Sequence, residues 1–211
     1  MATGETFKTI DWRGVRNLVA AEIKTETEEA ITYDTPFRVC GVATLTKTTE
    51  TSSAKKYYDN VPAIVIQATG GDEVNVEGSA IQEHIQAKLM GEYYDDTLGM
   101  YVEGEPTTKY FALGYITEDT DGEERYIWRL KGTFSYPESE HKTKDDGTDS
   151  NGSTLVYTGV NTLTKFTKNG NKTAKAVNVK ASKYTAGETK FFETVQTPDT
   201  VGTTNAQDQT T

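Results

Sequence analysis

Apolar residues along this chain mostly alternate with polar ones or form short β-branched runs, and one segment alone carries a helical stripe. Residues 15–23 read as a first strand centred on Leu18 and Val19. Residues 25–30 form an acidic turn region, and residues 37–45 predict a second strand around Cys40 and Val42. Residues 63–68 (AIVIQA) predict a short, strongly apolar strand that Gly70-Gly71-Asp72 breaks, after which alternation resumes through Val74 and Val76. Residues 110–116 (YFALGYI) and 125–134 (RYIWRLKGTF) predict a hairpin turning at Asp121-Gly122. On its return strand Tyr126, Trp128 and Leu130 share one face, and Arg125, Arg129 and Lys131 the other. Ile127 interrupts that polar face, so part of it is expected to be covered. Residues 155–160, 162–166 and 174–179 predict further short strands, and residues 184–192 a weak strand with aromatic anchors.

The helical stripe is Ile81, Ile85 and Leu89. Ser79 and Gln82 fit a capping box, and Gly91 fits the residue past the C-terminus. One helix over residues 79–90, lying on the sheet, is therefore expected. Three stretches are too polar for core elements: residues 47–60, residues 136–152, and a Thr/Asp/Gln-rich end. The pattern divides the chain into an arm (1–13), a β domain (14–192) and a disordered polar tail (193–211). The expected fold is mainly β: a β-sandwich or partly closed barrel with one flanking helix and long loops.

Composition supports β. Among 211 residues, 36 are Thr and 12 are Tyr, both suited to pleated surfaces. The net charge of −10 excludes a protein that grips nucleic acid or an anionic membrane through a basic face. No segment approaches the roughly 18 apolar residues of a membrane span. The opening, MATGETFKTIDWRG, lacks a basic region followed by an apolar one, so no cleaved signal peptide is expected.

Candidate chemistry is sparse. Cys40 is the single cysteine and has no neighbouring base in the sequence; it reads as a buried thiol. His84 and His141 read as surface residues. Residues 147–153 (GTDSNGS) have Walker-like glycine spacing, but Ser153 stands where the lysine is required. Asp145, Asp146, Asp149 and Asn151 suggest a calcium loop; with Gly152 as the turn glycine, Gly147 and Thr158 take ligand positions that need carboxylates. No catalytic residue, cofactor site or metal site is expected.

Four segments carry a family resemblance: GVRNLVAAEI (14–23), YYDN (57–60), the ALGYI strand with its RYIWRLKGTF return, and TKDDGTDSNG (143–152). With their spacing they resemble the major tail proteins of long, non-contractile-tailed phages, the phi13-type family. The resemblance implies a structural virion protein made in the host cytoplasm. It implies hexameric rings stacked into a tail tube, with genome DNA crossing the lumen unbound. Its implied partners are further copies of itself and the tape-measure, tail-tip and tail-terminator proteins. Tube stacking would draw on the 47–60 segment, with Tyr57, Tyr58, Asp59 and Asn60 as contacts, and Trp12 on the arm as a second anchor. Tyr57 and Tyr58 could equally begin the next strand and pack within the monomer. Two other classes stay open: the tube of a phage-derived injection or bacteriocin particle, and a β-sandwich adhesin or carbohydrate-binding module.

Overall fold

The computed structural model describes residues 8–58, 61–141 and 152–202. Its elements are β1 (Trp12–Glu26), β2 (Ile31–Tyr33), β3 (Phe37–Arg38), β4 (Val42–Tyr58), β5 (Val61–Gly78), α1 (Glu83–Met90), β6 (Tyr93–Asp95), β7 (Met100–Val102), β8 (Phe111–Asp119), β9 (Glu124–Phe134), β10 (Glu138–Ser139), β11 (Ser153–Gly159), β12 (Ala176–Lys180) and α2 (Gly187–Glu193). The protein is mainly β, as its composition suggests. None of the described helices is long and apolar enough to cross a membrane.

One antiparallel sheet runs in the order β2-β1-β8-β9-β11-β5-β4, with β3 on β1, β12 on β9 and β10 on β11. Strand twist curls this sheet until β1 approaches β4, but no hydrogen-bonded ladder joins them. The sheet is therefore an open curl and not a closed barrel.

Two cores form because the central strands are buried on both faces. Inside the curl, Leu18, Val74, Val76, Leu113, Tyr115 and Tyr157 pack together, with Leu89 and Met90 of α1. On the opposite face, Val19, Ile116, Tyr126, Trp128 and Leu130 pack against Phe166, Tyr184, Phe191 and Phe192 from the C-terminal third. The Trp128 indole N–H donates to the Phe191 carbonyl at 3.1 Å, which fixes the C-terminal layer to the sheet. Tyr126, Trp128 and Leu130 thus share a face as the alternation predicts, while Ile127 and buried Arg129 belong to the interior of the curl.

The structure corrects several sequence expectations. The helix begins at Glu83, capped by extended Gln82, because Ser79 is used elsewhere: its Oγ accepts the Gly41 N–H at 3.0 Å, and its own N–H donates to the Gly41 carbonyl. Gly91 does adopt the left-handed conformation that ends the helix. Among the described residues there are two α-helices: part of the weak strand expected at residues 184–192 is α2, whose Phe191 and Phe192 pack in a layer facing Trp128 and Tyr126. Residues 162–166 form no strand; Thr162 and Thr164 are buried and bond to loop carbonyls. The strand expected at 37–45 is split at residues 39–41 between β3 and β4, which pair with different partners. The tail is ordered from 193 to 202: Val195, Gln196 and Thr197 are buried, and Asp199 accepts the backbone N–H groups of Thr167 and Lys168. The tail beyond residue 202, the arm before Lys8 and the acidic loop 142–151 lie outside the described residues.

Candidate self-assembly surface

The stretch expected to be a long polar loop, residues 47–60, is strand through Tyr58. β4 and β5 pair from Val42↔Gly78 out to Tyr58↔Val61. β11 supports β5 only over Asp72–Gly78. Beyond that root, the eight pairs from Thr51↔Thr69 to Tyr58↔Val61 form a ribbon whose described strands pair only with each other. At about 3.3 Å per residue the ribbon extends roughly 26 Å past the sheet.

Gly70-Gly71 does not break the strand. Thr49 pairs with Asp72 and Thr51 with Thr69, so Glu50 alone opposes both glycines: a β-bulge where the ribbon leaves the body. Gly70 is required there, since a Cβ would lie 2.7 Å from Glu50 Oε2 and 2.9 Å from Glu50 Cβ.

Buried charge anchors the root. Asp72 accepts from Thr49 Oγ1 at 2.7 Å and from Arg129 Nη1 at 2.5 Å, and Lys175 and Lys47 approach it to 3.6 and 3.9 Å. Desolvation pushes this carboxyl upward; the Thr49 hydroxyl and the three cations outweigh it and hold it below the ordinary aspartate value. The first turns of the ribbon are thereby locked to β9 in the middle of the sheet.

A second surface was not anticipated from sequence. The β6–β7 hairpin places Tyr93 opposite Val102 and Asp95 opposite Met100 on one face. Tyr93, Met100, Val102 and the turn residue Leu98 are exposed, Leu98 to 72%. On the other face the Tyr101 hydroxyl donates to Glu92, which also accepts from Tyr136 and from the Gly104 N–H. Glu92 stays below the usual carboxylate range because these bonds outweigh its desolvation. The same contact pushes the Tyr136 hydroxyl up to about 12. The hairpin is clamped from behind and presents an outer face that is apolar apart from Asp95, whose Oδ1 accepts the Thr97 and Leu98 N–H groups of the turn. Its signal in the sequence is the alternation of YYDDTLGMYV around a DDTLG turn.

Of the expected contact residues, the described ones do not converge. Tyr57 and Tyr58 lie in the distal end of the ribbon, with backbones paired to Pro62 and Val61. Asp59 and Asn60 lie outside the described residues. Trp12 is 63% exposed at the start of β1, with the Arg125 guanidinium 5.3 Å from its ring centroid. It lines a cleft with Lys47, ten strand residues and about 33 Å short of Tyr57. Cys40 is half-buried and its thiol is pushed up by burial. His84 stacks obliquely on Tyr94 at 5.9 Å, and His141 contacts Ser139. Among the described residues no group of His, Cys, Asp or Glu is arranged to hold a metal ion. The candidate calcium residues Asp145, Asp146, Asp149 and Asn151 fall outside the described residues.

No protein-family model matches the chain, and comparison with curated proteins gives no match either.

Proposed function

We propose that this chain is a structural subunit that polymerises into stacked hexameric rings, the tail tube of a long, non-contractile phage tail. One observation carries the reading. The apolar run AIVIQA lies in the part of β5 that pairs only with β4, on a ribbon extending past the body that would support it. An isolated two-stranded ribbon is marginal in water. Its two edges, unpaired among the described residues, are templates for strands of another chain. Repetition of that contact around a rotation axis closes a ring, since a ribbon inserting into a different patch of its neighbour is a heterologous interface. The exposed β6–β7 face supplies apolar area for contact along the tube axis.

The charge balance suits a DNA conduit. Six copies at −10 each carry a formal charge of −60. Carboxylates facing a lumen repel phosphates and forgo the counterion release that makes basic channels bind DNA. The tape-measure, tail-tip and terminator proteins are the partners such a tube requires. The subunit performs no chemistry in this reading.

Negative-stain imaging of concentrated purified protein tests the proposal. Rings or tubes with six-fold end views are expected. A uniformly monomeric field at every concentration and salt overturns it.

A further inference from the structure

β12 has an open edge in the middle of the sheet. Its five residues pair with β9 from Ala176↔Arg129 to Lys180↔Arg125 without a register shift. The Leu130 N–H donates to the Lys175 carbonyl at 2.8 Å, which fixes the phase of the ladder: Val177 and Val179 turn their backbone groups towards β9. The N–H and carbonyl groups of Ala176 and Asn178, and the Lys180 N–H, therefore point away from β9, and none of the described residues bonds to them. The lane beside them continues the line of β5. β11 covers β9 at residues 132–134 and β12 covers it at residues 125–129, so the two lie end to end, and β5 pairs with β11. At the Gly70-Gly71 bulge β5 leaves that lane. Lys175 Nζ donates to the Gly70 carbonyl at the point of departure, and no ladder joins β12 to the ribbon. Outside the ribbon, the other described open edges are shorter or irregular: β2 has three residues, β3 and β10 two each, and β1 and the root of β4 carry register shifts.

We propose that this lane receives the ribbon of a second copy of this chain, whose β5 adds a strand to β12 along Ala176–Lys180. The inference rests on the self-assembly proposed above and names its acceptor. Topology selects the occupant: β5 fills the same lane beside β11 within each chain, and the neighbour's β5 fills the part that the chain's own β5 leaves. Charge selects β5 over β4. Lys175 and Lys180 flank the edge, β4 would bring Lys55 and Lys56 against them, and residues 61–69 of β5 carry no charge. The β-branched run at residues 64–66 also suits a pleated partner strand. A ribbon seated on β12 of its neighbour is a heterologous contact, so it repeats around an axis.

Amide exchange in the wild-type chain reads the edge directly. In the monomer the Ala176, Asn178 and Lys180 amides should exchange fast and those of Val177 and Val179 slowly; in assemblies the first three should slow by at least about a hundredfold. Asn178→Pro removes an N–H that faces away from β9 and puts a ring into the lane, a substitution that an open edge tolerates. It should keep the wild-type urea midpoint and raise the protein concentration needed for scattering assemblies at least about tenfold. A chain with residues 53–67 excised, Ser52 being joined to Ala68 by an Asn-Gly turn, keeps the acceptor and lacks the donor; Asn178→Pro has the reverse. Mixed, the two should form one-to-one pairs in sedimentation, and neither should pair alone. Wild-type assemblies in which Asn178 exchanges as in the monomer, or Asn178→Pro chains that assemble at the wild-type concentration, overturn the acceptor and leave self-assembly standing. If Asn178→Pro lowers the urea midpoint, the wild-type exchange pattern decides. Pairing of the two variants beside a wild type that forms no six-fold rings overturns the tube reading and leaves the acceptor standing. Absence of both wild-type assembly and variant pairing overturns both.

Discussion

Shortening the β4–β5 ribbon separates folding from assembly. Removing residues 48–54 alone would be a poor experiment, because they lie inside a paired strand and their loss shifts the register of Lys55–Tyr58 against β5. A matched excision takes residues 53–67 and rejoins Ser52 to its partner Ala68 through an Asn-Gly turn. The excised part pairs only with itself, and its root keeps the bulge and the Asp72 cluster. The cost to monomer stability should therefore be less than about 1 kcal/mol, since an isolated hairpin contributes little. The cost to assembly should be large. The excision removes six of the eight ribbon pairs. A six-residue edge presents outward roughly six backbone donors and acceptors, and at about 0.5–1.5 kcal/mol net per hydrogen bond one fully used edge contributes on the order of 3–9 kcal/mol. Even the lower figure is about two decades in concentration. Urea unfolding followed by circular dichroism measures the first effect, and light scattering against protein concentration the second. The reasoning is refuted by a shortened chain that assembles at the wild-type concentration. It is refuted equally by one that loses more than about 2 kcal/mol of stability, because the ribbon would then be holding the monomer together.

Four further outcomes follow from the same structure. Asp72→Asn leaves Arg129 and two lysines around a neutral group and should lower unfolding free energy by about 3–5 kcal/mol at pH 7; a loss under about 1 kcal/mol in urea melts would show that the cluster does not hold the root. Because the folded carboxyl lies below its unfolded value, this stabilisation is present above the unfolded aspartate pKa of about 3.9 and fades as pH falls through the folded one. Acid titration of the wild type should show that loss, and the variant should lack it. Raising salt from about 0.02 to 0.5 M should promote assembly by screening repulsion between copies at −10 each; scattering that stays flat or falls contradicts this. Finally, Tyr93→Ser with Val102→Ser should change monomer stability by no more than about 0.5 kcal/mol per site, as both are exposed, yet should weaken assembly at least about tenfold by sedimentation.

The sequence by itself determined the β class, the strand-turn-strand at Asp121-Gly122, the helix ending at Gly91 and the shared face of Tyr126, Trp128 and Leu130. These features are local: alternation, a turn dipeptide and a left-handed glycine act within a few residues. Tertiary structure decided the rest. Residues 47–58 are too polar to announce a strand, and they become one because β5, the next strand along the chain, lies alongside, so the cause is in the partner and not in their own pattern. Phe191 and Phe192 are compatible with a strand or a helix, and the second core against Trp128 selects the helix. Arg129 reads as a solvent-facing charge in an alternating strand. The curl of the sheet turns it inward onto Asp72, a carboxylate 57 positions away, and burial then makes that charge a structural group. Periodicity records which residues can share a face; which faces are covered, and by what, depends on long-range closure that no local pattern encodes.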